Sequence, residues 1–151
     1  MRLIHSGLAA LLCAVFLAGA SLAADRSVDI EIVGIVPESC SISVDNSRAV
    51  FDLSSSVQKV RVATVTENCN RSAGYVVTVR SSQNGVLSST GGGIGYGVTY
   101  GGEEVDLAGG SVMERNDLNG GTPRDLLITV PEGDYAGGVY RDIITIEISA
   151  Q

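Results

Sequence analysis

The sequence predicts an antiparallel all-β sandwich, and three observations lead to that fold class. Apolar residues recur at every second position rather than at the three- and four-residue spacing of a helix. The runs are short and end at turn-forming Gly, Asn, Asp and Ser residues. No helical segment is available to connect parallel strands, so the roughly eight or nine strands are expected to pair antiparallel.

The first 23 residues have the organisation of a cleaved signal peptide. Arg2 and His5 give a short positive segment, Leu8–Ala18 is an apolar run of 11 residues, and Ser21-Leu22-Ala23 offers small residues for cleavage after Ala23. The apolar run is too short to span a bilayer as a helix, which takes about 20 residues. We therefore expect export and a mature chain of 128 of the 151 residues.

The expected strands follow one another along the mature chain. In the first half, alternating or apolar runs cover 28–36, 42–44, 50–53, 60–66 and 75–80. In the second half, a strand over 94–100 is followed by a Gly101-Gly102 hairpin turn and a return strand over 103–107. The polar stretch 109–124 predicts a loop or irregular edge, and strands over 126–130 and 139–149 close the domain.

Composition excludes several classes of function for the mature chain. It has no His and no Trp, and its nine basic and seventeen acidic residues give a net charge of −8. A Ser-His-Asp or Cys-His mechanism needs histidine, and two cysteines alone do not make an ordinary zinc site. Binding of nucleic acid needs a basic face. We predict no catalytic residue, no metal, no cofactor and no nucleic-acid partner.

Two stretches resemble chemical sites but are better explained as structure. The glycine-rich run Gly91–Gly97 lacks the Gly-Lys-Ser/Thr ending of a phosphate loop and precedes no helix, so a loop entering a closely packed strand is expected. Glu103 and Glu104 are adjacent on a strand and point to opposite faces, so they cannot form a glycosidase pair. With Asp134 and Asp142, they are expected to form a solvated acidic edge.

Cys40 and Cys69 are predicted to form a disulfide, because an exported chain matures in an oxidising compartment. The bridge would close a loop of roughly 29 residues and contribute about 3.5 kcal/mol by the chain-entropy estimate. Free thiols or an intermolecular pair are the alternatives.

The segment 24–36, called the arm below, is the most informative part of the sequence. Its apolar positions Val28, Ile30, Ile32 and Val36 share one face, and burying them would give about 6–12 kcal/mol gross. A strand of this kind left in water is an aggregation hazard. The arm is therefore either a strand of its own sandwich or a strand given to a neighbouring molecule.

Four stretches make the mature chain resemble the subunits of chaperone–usher pili, within them the spore coat protein U-like, archaic type. The arm region reads DIEIVGIVPESC over 29–40, and CSISV with VFD covers 40–44 and 50–52. TVTENC and GYVVTV cover 64–69 and 74–79. The last stretch, 130–149, resembles the family's closing Pro…Ala-Gly-x-Tyr-x-Asp-x-hydrophobic strand. The likeness lies in the order of these stretches with the two cysteines and the signal peptide.

The resemblance implies an immunoglobulin-like antiparallel β-sandwich over 37–151 that lacks its own seventh strand, an incomplete pilin fold. A periplasmic chaperone would first fill the open groove, and an outer-membrane usher would exchange it for the arm of the next identical or related subunit. The donor-strand residues are expected to be Val28, Ile30, Ile32, Gly34 and Val36. The strand that lines the groove and pairs with the chaperone is expected to carry Tyr140, Ile144, Ile146 and Ile148.

The resulting expectation is a fimbrial structural subunit that passes through the periplasm to a cell-surface pilus and supports adhesion or biofilm formation. The alternative is a self-contained secreted β-sandwich that binds a ligand such as a glycan. Carbohydrate platforms use exposed Trp or Tyr, and this chain has no Trp and five Tyr. The aromatic content therefore favours the pilus subunit.

Overall fold

The computed structural model describes residues 26–116 and 121–151, so the predicted signal peptide lies outside the described residues. The described residues form ten β-strands and no helix. The strands are β1 Cys40–Val44, β2 Val57–Cys69, β3 Tyr75–Ser81, β4 Val86–Ser89, β5 Gly92–Gly95, β6 Gly97–Tyr100, β7 Glu103–Val105, β8 Ser111–Arg115, β9 Thr122–Val130 and β10 Ile144–Ala150.

The strands form three antiparallel sheets, which confirms the predicted fold class. A five-stranded sheet has the order β1-β2-β9-β6-β7, and a three-stranded sheet has the order β10-β3-β8. The two remaining strands, β4 and β5, pair with each other. Every pairing is antiparallel, as expected for a chain in which no helix of the described part connects the strands.

The core lies between the five-stranded and three-stranded sheets and receives alternate residues from both. On β3, Tyr75, Val77 and Val79 are buried while Val76 and Thr78 are only half-buried. The five-stranded sheet contributes residues of β2, β6 and β9 to the same cluster, and β8 contributes Met113. Burying each large apolar side chain contributes roughly 1.5–3 kcal/mol, so this alternation is what holds the two sheets together.

The predicted disulfide is present between Cys40 and Cys69. The two residues are directly opposite each other at the first register position of the β1–β2 pair. The chain just before the bridge is also fixed, because Asn70 donates to the Pro37 carbonyl and accepts from the Ser39 amide, at 2.9 and 2.7 Å. The start of β1 is therefore held covalently and by hydrogen bonds.

The predicted hairpin at Gly101-Gly102 is confirmed. Tyr100 and Glu103 are register partners, so the two glycines form a two-residue loop between β6 and β7. Their φ angles of +58° and +90° lie in the left-handed region that glycine adopts without steric cost.

Several expected strands differ in the structure. Residues 50–53 form no strand, because the Asp52 carboxylate accepts the Ser54 amide at 3.0 Å and turns the chain. The run 94–100 divides at Tyr96, whose amide donates to the Gly85 carbonyl at 3.0 Å, between β5 and β6. The closing strand begins at Ile144 rather than at residue 139.

The polar stretch 109–124 is not only a loop. It contains all of β8, which pairs with β3, and the first residues of β9. The inner face of β8 carries Met113 and a buried arginine, Arg115, whereas Val112 is exposed. A charged residue on the inner face and an apolar one outside reverse the usual pattern, which is why alternation does not identify this strand.

Residues 26–35 belong to a unit separate from residues 36–151. They form neither helix nor strand. Val28, Ile30 and Ile32 are 84%, 81% and 91% exposed, so the apolar face of the arm is uncovered in this chain.

Candidate functional site

The candidate site is a groove between the outermost strands of the two main sheets. β1 ends the five-stranded sheet and β10 ends the three-stranded sheet. β1 pairs only with β2 and β10 only with β3 among the described strands. Each of the two therefore presents one edge of backbone N–H and C=O groups that no strand of the described chain occupies.

A cavity of about 1320 Å³ lies between these edges. It exceeds the roughly 300–1,000 Å³ of ordinary small-molecule pockets, so its size suits a segment of polypeptide better than a small ligand. Val44, at its rim, is 48% exposed, so the groove opens to solvent beside β1. Its apolar lining comes from both sheets and includes Ile42, Val65, Leu126, Ile128, Ile144 and Ile146.

The inner face of β10 is less well covered than that of its neighbour. Ile146 and Ile148 are only half-buried, whereas their register partners Val79 and Val77 on β3 are completely buried. Among the strands of residues 26–116 and 121–151, β3 has a neighbour on each side and β10 on one side only. The groove thus contains apolar surface where one more strand would lie.

Three of the four residues predicted for the groove strand line the cavity. They are Tyr140, Ile144 and Ile146, whereas Ile148 packs against the core and is not among the lining residues. Tyr140 does not lie on the strand as expected, because β10 begins four residues later. The Tyr140 hydroxyl instead donates to the Ala136 carbonyl at 2.8 Å.

The predicted donor-strand residues Val28, Ile30, Ile32 and Gly34 lie in the separate unit 26–35, and Val36 follows it. Val36 is 81% exposed, like the three apolar residues before it. A Cβ atom added at Gly34 would meet nothing within 4 Å. Any restriction on side-chain size at Gly34 would therefore have to come from a partner molecule, and the donor role of the five residues stays a prediction.

One wall of the groove is formed by residues 133–143, which belong to the irregular segment between β9 and β10. Two tyrosines shape it in the same way, since each hydroxyl donates to the carbonyl four residues earlier, Tyr135 to Pro131 at 2.6 Å and Tyr140 to Ala136. A Cβ at Gly133 would come within 2.9 Å of the Tyr135 ring, so a side chain there would displace the ring from this position. These contacts give a physical role to the Pro…Ala-Gly-x-Tyr stretch.

Asp142, immediately before β10, accepts five hydrogen bonds. The hydroxyls of Ser81, Ser82 and Tyr96 donate to it at 2.6, 2.7 and 2.7 Å. The amides of Gln83 and Ile143 donate at 3.1 and 2.6 Å. The expectation of a solvated acidic edge is therefore wrong for Asp142.

The environment of Asp142 changes the acidity of two groups. Burial raises the pKa of the Asp142 carboxyl, but the hydrogen bonds from Ser81, Tyr96 and Ser82 outweigh it, so the pKa lies below the ordinary value of 3.8. Burial, together with the bond to Asp142, raises the pKa of the Tyr96 hydroxyl. At neutral pH the pair is thus a carboxylate accepting from a neutral phenol.

A second polar cluster lies away from the groove, around Glu67 of β2. Its carboxylate is fully buried and accepts the Tyr75 hydroxyl at 3.0 Å and the Tyr100 hydroxyl at 2.5 Å. The Nε atoms of Arg115 and Arg124 lie 3.7 and 3.6 Å from Oε2 of Glu67, the oxygen that accepts the Tyr75 hydroxyl. A buried carboxylate is tolerated only with such partners. Glu67 does not line the groove. We therefore interpret the cluster as a structural contact that connects the five-stranded sheet to the three-stranded sheet.

The sequence contained a signal for this cluster. Glu67 follows Ala63 and Val65 at alternate positions and precedes Cys69, so it lies on the inner face of β2. The expected strand ended near residue 66 and therefore left Glu67 out. Glu103 is connected to the cluster too, since Arg115 donates to it at 2.7 Å.

The glycine-rich run enters a closely packed strand, as expected from its sequence, and this strand, β5, forms a hairpin with β4. Gly93 is opposite Ser88 in the β4–β5 pair, and a Cβ added at Gly93 would come within 2.5 Å of the Val86 side chain. The glycine permits this close approach of two strands. Within residues 26–116 and 121–151, no three His, Cys, Asp or Glu side chains are grouped so as to hold a metal ion. The same ranges contain no helix that is long and apolar enough to cross a membrane.

Comparison with protein-family models gives no match for this chain, and comparison with curated proteins gives none either. The relation to pilus subunits therefore remains a resemblance carried by the four sequence stretches. To these the structure adds an all-β fold, the Cys40–Cys69 bridge and a groove between two sheet edges.

Proposed function

We propose that this chain is a structural subunit of a surface pilus, in which the arm of one subunit fills the groove of the next. The observation that carries the proposal is the open groove between the unshared edges of β1 and β10, to which both sheets contribute apolar side chains. An extended segment binds such a site by β-augmentation. Backbone hydrogen bonds then supply affinity, and alternate side chains entering the groove supply specificity.

The arm has the properties that the groove requires of its occupant. Its described residues form no helix and no strand of their own, and Val28, Ile30 and Ile32 are more than four-fifths exposed. The residues between them are Asp29 and Glu31, so over 28–32 one face is apolar and the other is charged. Inserting the apolar face between the two sheets would complete the core and leave the charges in water.

The relation between the two surfaces determines the kind of assembly. The arm and the groove are different surfaces, so an arm placed in the groove of another copy makes a heterologous, head-to-tail contact. Contacts of this kind continue from copy to copy and give open filaments unless the ring closes. A filament is therefore the expected product.

The same surfaces account for the partners that the resemblance implies. An open apolar groove and an uncovered strand edge invite aggregation during export. A periplasmic chaperone that offers its own strand to β10 would cover them, and an outer-membrane usher would exchange that strand for the next arm. The subunit would then leave the periplasm as part of a cell-surface fibre that serves adhesion or biofilm formation.

A second candidate function, glycan binding, is favoured by one observation. Tyr96, Tyr135 and Tyr140 all line the groove, and tyrosine rings are common platforms for sugars. Their hydroxyls, however, already donate to Asp142 and to the carbonyls of Pro131 and Ala136. The remaining lining near β1 and β10 is largely apolar, which suits a hydrophobic strand better than a sugar.

A complementation experiment tests the proposal. One variant lacks residues 24–36, so it can accept an arm but not give one. The other carries Ile146→Arg in the groove, so it can give an arm but not accept one. We expect neither variant to polymerise alone, and an equal mixture to form one-to-one dimers on size-exclusion chromatography. Thr145→Arg, on the exposed face of the same strand, is the matched control and should polymerise normally.

Two results would contradict the proposal. One is long polymers formed by the arm-deleted chain on electron micrographs. The other is a full chain that stays monomeric and a mixture that forms no dimer, and retention of such a monomer on immobilised oligosaccharide would favour glycan binding instead.

A further inference from the structure

The segment that leads into β10 is fixed at unusually many points. The Ser82 amide donates to the Ile143 carbonyl at 2.9 Å, and Ser88 and Arg141 exchange two backbone bonds of 2.9 Å each. The Asp142 carboxylate lies between these two attachments and has five donors of its own. A carboxylate has about four lone-pair sites, so its capacity to accept hydrogen bonds is fully used.

The donors to Asp142 come from separate parts of the chain. Ser81 ends β3, Ser82 and Gln83 follow it, and Tyr96 lies between β5 and β6. Asp142, Ser82, Gln83 and Tyr96 all line the groove. One side chain thus joins the end of β3, the β5–β6 junction and the start of β10 into one wall of the groove.

An empty apolar groove has a physical tendency to close. Ile144 and Ile146 are half-buried, and a shift of β10 toward β1 would bury more of them, which the hydrophobic effect favours. A groove that receives a strand binds it more tightly when its walls are already in place, because no free energy is lost in rebuilding them. The wall next to β10 therefore needs a fixed anchor.

We propose that Asp142 is a positioning residue that holds the start of β10 in the geometry that accepts an incoming strand. This inference rests on the proposed function, since it assigns Asp142 a role in forming that groove. Asp142 does not itself bind the incoming strand in this account. It acts through Ser81, Ser82, Tyr96 and the amide of Ile143.

The alternative is that Asp142 only stabilises the fold. Asp106 provides the comparison, because its carboxylate also accepts local amides, those of Ala108 and Gly109 at 3.0 and 3.2 Å, and it does not line the groove. A purely structural role predicts that loss of either aspartate affects strand binding only as far as it lowers the melting temperature.

The test measures binding of a fluorescent synthetic peptide of residues 24–36. The protein is the full exported chain with Ile32→Asp in its own arm, so that the peptide has no competing arm. Fluorescence anisotropy gives the dissociation constant, and thermal melting gives the stability of the same samples. We expect Asp142→Ala to weaken peptide binding by about tenfold or more, since it removes the acceptor of the hydrogen bonds that hold this wall of the groove in place.

The comparison variants separate positioning from stability. Asp106→Ala should leave the dissociation constant within about twofold, whatever its melting temperature. Asp142→Asn keeps one acceptor oxygen and the side-chain size, so it should fold and recover part of the affinity. Amide hydrogen exchange at Ile143 and Ile144 should be faster in Asp142→Ala than in Asp106→Ala, because only the first loses its anchor.

The outcomes are distinguishable. If the parent protein binds the peptide and Asp142→Ala binds it equally well, the positioning role is overturned while the proposed function stands. If Asp142→Ala and Asp106→Ala lose affinity in proportion to their melting temperatures, Asp142 is only structural. If the parent protein does not bind the peptide, the proposed function fails, and the inference that rests on it fails too.

Discussion

The hydroxyl of Tyr75 on β3 donates a hydrogen bond of 3.0 Å to the buried carboxylate of Glu67 on β2, which joins the three-stranded sheet to the five-stranded sheet. Tyr100 donates to the second oxygen of the same carboxylate. The two sheets are thus connected through the core by a polar contact as well as by apolar packing. Burial is the main reason that the pKa of Tyr100 is raised, with the bond to Glu67 as a further cause.

Glu67→Ala is expected to be strongly destabilising. It removes an acceptor from two buried hydroxyls and an ion-pair partner from the nearby guanidinium of Arg115, and breaking a buried ionic cluster costs about 3–5 kcal/mol. Denaturant unfolding of purified protein measures the loss. Glu104→Ala, on the exposed part of β7, is the control and should stay within about 0.5 kcal/mol of wild type. A loss below about 1 kcal/mol for Glu67→Ala would show that the cluster contributes little.

Loss of the disulfide should lower stability by about 3.5 kcal/mol, the chain-entropy estimate for its loop. Cys40→Ser and Cys69→Ser should therefore have equal, lower melting temperatures and lower periplasmic yield, and the double variant should be no worse than either. Wild-type protein melted in a reducing agent should match them. Unchanged melting temperature and yield in both single variants would remove the bridge from the account of stability.

The two faces of the arm should respond differently to charge. Ile30→Asp or Ile32→Asp should block polymer growth, because the proposed insertion would place a carboxylate in an apolar groove. Glu31→Lys should be tolerated, since residue 31 would face water. Sedimentation and electron microscopy of assembled material give the polymer length. Equal polymerisation of Ile32→Asp and Glu31→Lys would mean that no face of the arm is buried.

Gly34 allows a separate test of steric fit. Its own chain leaves space for a side chain, with nothing within 4 Å of an added Cβ. Gly34→Leu should therefore leave the melting temperature of the monomer unchanged. It should slow or abolish assembly if the groove of the neighbouring subunit is shallow at that point. Normal assembly by Gly34→Leu would exclude a size restriction there.

Acid should weaken the fold partly through Asp142. Its pKa in the folded chain is below the ordinary value of 3.8, so the unfolded chain binds the proton more readily. The stabilisation is complete above about pH 4 and is lost as the pH falls through the folded-state pKa. Melting temperatures between about pH 5 and pH 2 should fall less steeply for Asp142→Asn than for wild type. Parallel curves for the two proteins would contradict this assignment.

Much of the fold could be predicted from the alternation of apolar and polar residues, and the strands that were missed have a physical reason. β3 was recognisable because apolar residues mark its inner face without exception, as at Val77, and β9 was recognisable over 126–130, where Ile128 lies on the inner face. β8 was not, since its inner face contains Arg115, whose charge is neutralised by residues distant in sequence. The burial of Glu67 on β2 was also not predicted, because the residue is charged and the expected strand ended near residue 66. A pattern of hydropathy cannot identify a buried charge whose partners come together only after folding.

The groove shows a similar division. Ile144 and Ile146 were predictable from the period of the closing strand, and both line the cavity. Asp142 was not, because its five donors are about sixty, about forty-six and one residue away in sequence. The alternation of apolar residues was enough to predict β10. The role of Asp142 depends on contacts with residues that are distant in sequence, which a local pattern does not contain.

The position of the Cys40–Cys69 bridge has a mechanical consequence. Tension applied through the arm would enter the domain at the beginning of β1, and it would pull that strand away from β2 one residue pair at a time. The first pair in that order is Cys40 and Cys69, and it is covalent. Peeling from this end cannot begin while the bridge is intact. The force passes instead to β2, the longest strand, which β9 supports along most of its length.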